Sequence, residues 1–80
     1  MIYGKNYKMK IKINYSLYFT KSFKKLPVHV VKKFYLKEDL FKSNPFHPSL
    51  KTHKLTNDLK EFWAFSISYH YRVMLKMIMM

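Results

Sequence analysis

Between positions 9 and 19 every second residue is apolar, Met9, Ile11, Ile13, Tyr15, Leu17 and Phe19, and the residues between them are mostly polar, Lys10, Lys12, Asn14 and Ser16 among them. Successive side chains of an extended chain point to opposite faces, so this alternation predicts a half-buried strand over 9–19. A strand with one apolar face requires a sheet and a second layer to cover it, which already restricts the chain to a layered fold. The residues before it, 1–8, carry the single glycine (Gly4) and no periodic pattern, and are expected either to form a loose arm or to precede a true start at Met9.

The period then changes. Thr20 or Ser22 is suited to cap a short helix through Phe23, and Pro27 suits the first turn of a longer helix over about 27–43. At helical spacing Val28, Val30, Val31, Phe34, Tyr35 and Phe41 share one broad face, with Lys32, Lys33, Lys37 and Asp39 outside it. The segment Asn44-Pro45-Phe46-His47-Pro48 ends that helix, because a proline biases the residue before it away from helical geometry.

Beyond this loop the period returns to two. Residues 50–55 read as short and extended, 62–69 put Trp63, Phe65, Ile67 and Tyr69 on one face, and 71–77 repeat the pattern with Val73 and Leu75. Tyr69-His70-Tyr71 reads as a hairpin joint. The expected fold is therefore α+β and a single domain over 1–80: an N-terminal strand, a helical segment, then an antiparallel meander, with the helices packed on one face of the sheet. A chain this short buries only roughly 60% of its unfolded surface, but seven Phe, seven Tyr and one Trp supply a core.

Sixteen Lys plus Arg stand against four acidic residues, Glu38, Asp39, Asp58 and Glu61, for a formal net charge of +12. Such an excess repels itself in the compact state and attracts a polyanion, with RNA the favoured partner. With no cysteine, neither a disulfide framework nor a thiolate metal site can form, which fits a reducing, cytoplasmic compartment. The longest apolar run, near 73–80, is broken by Lys76 and is too short to span a bilayer, so no membrane role is expected.

Conventional catalytic sets are missing: no phosphate-binding glycine loop, no Cys–His pair, no close pair of carboxylates. His47, His53 and His70 are dispersed over loop and strand with few carboxylates near them, and neither a metal nor another cofactor is expected. What stands out is Lys51-Thr52-His53-Lys54, with Lys60, Arg72 and Lys76 on neighbouring segments of the meander. Imidazole can exchange a proton near neutral pH, and Lys and Arg can hold a phosphodiester and stabilise the charge that grows on it during in-line attack. In RNA the 2′-hydroxyl can serve as nucleophile. Arg72 is the lone arginine in a lysine-rich chain, which suggests bidentate phosphate binding. Trp63, Tyr69 and Tyr71 are candidates for stacking on unpaired bases, although the alternation of Trp63 with Phe65 and Ile67 favours a core role for the tryptophan. Strict alternation puts Lys51 and His53 on one face and Lys54 on the other.

Phe23-Lys24-Lys25-Leu26-Pro27, the stretch Asn44-Pro45-Phe46-His47-Pro48-Ser49-Leu50-Lys51-Thr52-His53-Lys54-Leu55, then Trp63-Ala64-Phe65-Ser66-Ile67 and Tyr71-Arg72-Val73 together resemble the RelE/ParE superfamily of bacterial toxins. The proline-bracketed loop leading into Thr52-His53-Lys54-Leu55 is similar to a RelE-like, YafQ-like branch. The resemblance covers about 9–78. It implies the toxin of a type II toxin–antitoxin module, an endoribonuclease (mRNA interferase) acting on ribosome-bound mRNA without a metal and neutralised by a cognate antitoxin laid over its basic face. Carried onto matching positions, it implies His53, Lys54 and Arg72 as catalytic residues; the basic cluster and the aromatics read above add Lys51, Lys60, Lys76 and Tyr71 as the expected RNA-binding residues. Two alternatives share the fold: a ParE-like inhibitor of DNA gyrase, and an inactive, truncated toxin that only binds RNA or antitoxin. Asn57 and Glu61 stand where relatives usually have glycine, and the family's C-terminal strand is expected to be missing.

Overall fold

The computed structural model describes residues 11–79; the expected arm over 1–8 and the expected strand start at Met9 lie outside the described residues. In chain order it has β1 (Ile11–Tyr15), α1 (Leu17–Phe23), α2 (Val28–Ser43), a 3-10 turn (Pro48–Leu50), β2 (His53–Lys54), a second 3-10 turn (Asn57–Leu59), β3 (Trp63–Ser66) and β4 (Arg72–Met79). The strands form one sheet in the order β1-β4-β3-β2, every pairing antiparallel. This is the α+β class expected, with the first and last strands as neighbours: Ile13 is in register with Met77 and Tyr15 with Leu75. Among the described residues no helix is long and apolar enough to cross a membrane.

The first strand is shorter than its alternation suggested. It ends at Tyr15, and Ser16 performs two roles at the corner: its N–H donates to the Met74 carbonyl at 2.9 Å, and its Oγ accepts from the Phe19 N–H at 3.0 Å. An N-cap serine with extended backbone and a side chain bonded to the third helical N–H starts a helix there. Leu17 and Phe19 therefore belong to α1 and not to the strand, and the expected caps, Thr20 and Ser22, fall inside that helix. Phe19 still turns inward while Leu17 is 70% exposed, because the helical period replaces the strand period after Ser16.

Pro27 is the N-cap of α2, and its carbonyl accepts from both Val30 and Val31 N–H groups at 3.0 Å. The buried stripe of α2 is Val30, Phe34 and Phe41. It is narrower than the face read from the sequence: Val28 at the helix start is 71% exposed and Tyr35 is 52% exposed, because α2 meets the sheet along one line only. The helix ends at Asn44, before the predicted breakers Pro45 and Pro48.

The core lies between the helices and one face of the sheet. That face carries Tyr15 and Ile13 from β1, Leu75, Val73 and Met77 from β4, and Phe65 and Trp63 from β3. Phe41 stacks on Phe65 with ring centroids 4.7 Å apart, and Leu50 from the first 3-10 turn is fully buried with them. Tyr15, Phe19, Phe23 and Phe34 form a second cluster at centroid separations of 5.3 to 5.7 Å. Each fully buried side chain of this size contributes about 1.5–3 kcal/mol of transfer free energy. The hairpin expected at Tyr69-His70-Tyr71 closes through Ile67 N–H to Tyr71 C=O at 2.8 Å and Tyr71 N–H to Ser68 C=O at 3.3 Å.

Candidate nucleic-acid interface

The helices pack on the face with Phe65 and Val73, so among the described residues no helix lies on the opposite, open face of the sheet, and the register dictates what stands on it. His53 pairs with Ala64, which pairs with Met74; one row toward the hairpin Ser66 pairs with Arg72; at the other end Lys76 pairs with Asn14 and Ile78 with Lys12. The open face thus gathers His53, Arg72, Lys76, Lys12 and Asn14 around a floor of Ala64 and Met74. Strands rise about 3.4 Å per residue, so the Arg72 and Lys76 backbones are roughly 14 Å apart on β4, with His53 on the level between them.

His53 is exposed, and its Nδ1 lies 3.0 Å from the Lys51 carbonyl oxygen. A carbonyl can only accept, so Nδ1 is the protonated nitrogen in this contact, and in the neutral ring Nε2 keeps its lone pair. Lys51 holds that carbonyl in position from a left-handed conformation, φ 51 and ψ 40, at the end of the first 3-10 turn. A side chain in this region costs roughly 1–2 kcal/mol, so the fold supports a local strain here to turn the chain into β2. The turn is braced by Ser49, whose N–H donates to His47 Nδ1 at 3.1 Å, and by Thr52, whose hydroxyl donates to the Pro45 carbonyl.

The residues predicted from the sequence do not all meet. His53, Arg72 and Lys76 share the open face, and Lys51 borders it, lining a cleft together with Arg72. Lys54 is on the other side: it pairs with Trp63 and its ammonium lies 5.8 Å from the Trp63 ring centroid, a separation forced by alternation along β2. Trp63 is half-buried, edge-on to Phe46 at 5.7 Å, in keeping with the core reading. Tyr71 is half-buried against the core beside Tyr18 and Leu26 of the α1 region, and Lys60 is exposed just after the second 3-10 turn. Tyr69 stands 86% exposed at the hairpin tip.

Glu61 does add a carboxylate beside the site: it forms a salt bridge with Lys76 at 3.3 Å, and the same ammonium lies 5.3 Å from the Phe62 ring centroid. Asn57 adopts φ 57, the left-handed geometry for which a glycine would be the default. Sequence reasoning missed Lys12 and Asn14 as members of this face. Their alternation with Ile11, Ile13 and Tyr15 marked them as polar-side residues, but only the β1–β4 pairing sets Asn14 opposite Lys76 and Lys12 opposite Ile78. No protein-family model, no curated protein and no solved structure matches this chain.

Proposed function

We propose that this chain is the toxin of a bacterial toxin–antitoxin module and cleaves RNA without a metal. The observation that carries the reading is that an exposed imidazole held through its Nδ1 by the Lys51 carbonyl, His53, and a guanidinium, Arg72, stand on the same face of the sheet, on a chain of net charge +12. His53 Nε2 takes the proton from a 2′-hydroxyl of the substrate as the 2′-oxygen forms its bond to phosphorus. The bond from phosphorus to the 5′-oxygen breaks, that oxygen takes a proton from water, and the products are a 2′,3′-cyclic phosphate and a 5′-hydroxyl. Arg72 and Lys51 bind the non-bridging oxygens and oppose the charge that develops on them. A positioned base contributes about 10²–10⁴-fold, and oriented donors on the phosphate a comparable factor. Ribosome-bound mRNA is the substrate, and an acidic antitoxin neutralises the protein by covering its basic surface.

Expression under tight control in a bacterial host, as the native chain and as Arg72→Ala, with growth followed and mRNA 5′ ends mapped, tests the reading. Growth arrest with new 5′ ends that disappear in the variant is expected. Folded, soluble protein without new ends would sink it, and arrest accompanied by DNA damage would point to the gyrase-directed alternative.

A further inference from the structure

Beside the open face lies a cleft of about 300 Å³ between α2 and the β3–β4 hairpin. Four cations border it, Lys33 and Lys37 from α2, Lys51 from the first turn and Arg72 from β4, and no carboxylate does. Among the described residues the one salt bridge joins Lys76 to Glu61, so none of the four is paired with an acid. Ser49, Ser66, Ile67, Ser68 and Tyr69 complete the lining, and Lys37 Nζ is 3.4 Å from Ser49 Oγ.

Two features of this cleft cost stability. Lys33 and Lys37 are four residues apart on one helix, a spacing at which like charges repel. Lys51 reaches the cleft from a left-handed backbone, which a glycine would occupy without strain. Four cations beside serine and tyrosine side chains suit a phosphoryl group, whose oxygens accept from ammonium, guanidinium and hydroxyl alike.

We propose that this cleft is a second phosphate subsite, which grips a phosphate of the RNA strand flanking the one that reacts, Arg72 lying between the two positions. The inference rests on the reading of the chain as an RNA-cleaving protein, but it concerns residues, Lys33 and Lys37, that have no part in the chemical step. The strand runs from the open face round the hairpin edge onto α2.

The test is fluorescence anisotropy with a single-stranded, fully 2′-O-methylated RNA, which binds but has no free 2′-hydroxyl, over a series of salt concentrations. Each lost phosphate contact to a single strand lowers the slope of log Kd against log salt by about 0.7, so Lys33→Ala/Lys37→Ala, which removes the grip on one phosphate, is expected to reduce it by about 0.7. Lys24→Ala/Lys42→Ala removes the same charge from exposed positions outside the cleft and is expected to change the slope by less than about 0.3. Circular dichroism checks that both variants are folded. Equal losses in the two variants would overturn the subsite, since diffuse charge alone would then account for binding.

A titration with inorganic phosphate, read by amide NMR shifts at Ser66 and Ser68, separates the two readings. Shifts that vanish in Lys33→Ala/Lys37→Ala, together with RNA binding, support the subsite. Shifts without any RNA binding would overturn the RNA reading and leave a site for free phosphate, and the absence of both responses would overturn the cleft as well.

Discussion

The Tyr15 hydroxyl donates to the Glu38 carboxylate, joining the last residue of β1 to α2 across 23 positions of sequence. Burial first, and then this hydrogen bond to a carboxylate, push the Tyr15 pKa well above its ordinary value of 10.0. An unfolded chain releases this proton near pH 10 while the folded chain holds it. The stabilisation is therefore complete below that pH and is lost as pH rises above it. Urea midpoints measured from pH 8 to 11 are expected to fall more steeply for the native chain than for Tyr15→Phe. The difference is bounded by one proton, about 1.4 kcal/mol per pH unit, and is smaller here because Tyr15 is only half-buried. Parallel profiles would show that the bond does not discriminate between the two states of the phenol.

Phe41→Ala removes the ring that stacks on Phe65 at a fully buried position. Such truncations cost about 3–5 kcal/mol, against a total stability of roughly 4–12 kcal/mol for a chain of this length. Loss of a cooperative thermal transition is expected, whereas Lys42→Ala on the exposed side of the same helix should shift stability by less than about 0.5 kcal/mol.

Lys51 and Asn57 test the left-handed positions. Lys51→Gly is expected to be more stable than Lys51→Ala by about 1 kcal/mol, because only the alanine retains the Cβ that opposes this geometry. Chemical denaturation of the pair measures it; the opposite order would mean that the turn relaxes in the variants.

Glu61→Gln releases Lys76 from its salt bridge. Both groups are substantially exposed, so stability should change by no more than about 1 kcal/mol, while RNA affinity at low salt should rise. Unchanged affinity would indicate that Lys76 does not contact the nucleic acid.

His53→Ala and Lys54→Ala separate the two faces of β2. Loss of the imidazole is expected to reduce RNA cleavage about 100-fold or more. Lys54→Ala, which removes an ammonium lying over Trp63 on the other side of the sheet, should leave the rate within about threefold. Initial rates on a synthetic mRNA bound to ribosomes provide the comparison, and an equal loss from both variants would contradict the assignment of the open face.

Much of the architecture was readable in the chain because it is written in local periods. The strand around Ile13, the helix after Pro27, the stop at Asn44 and the hairpin near His70 each follow from side-chain alternation or backbone restrictions that act over a few residues. The end of β1 was misread because Leu17 and Phe19 continue the parity of the strand, and the decisive signal was a single cap, Ser16. The exposed Val28 and Tyr35 show the same limit on α2: apolar identity says what a residue tolerates, and its position against a neighbouring layer decides whether it is covered.

The functional residues divide in the same way. The sequence by itself determined that His53 and Lys54 point to opposite faces, that the chain carries a large positive charge, and that helices must cover one side of a sheet, because these depend on pleat, composition and amphipathicity. Only the tertiary structure decided that β4 lies between β1 and β3. That pairing brings Asn14 beside Lys76 and sets Arg72 on the face of His53, while Lys33 and Lys37 come to border the same cleft as Arg72. The physical reason is that strand neighbours and helix docking are selected by the summed burial of distant apolar residues such as Phe41, Phe65 and Val73, a quantity that no local stretch of the chain contains.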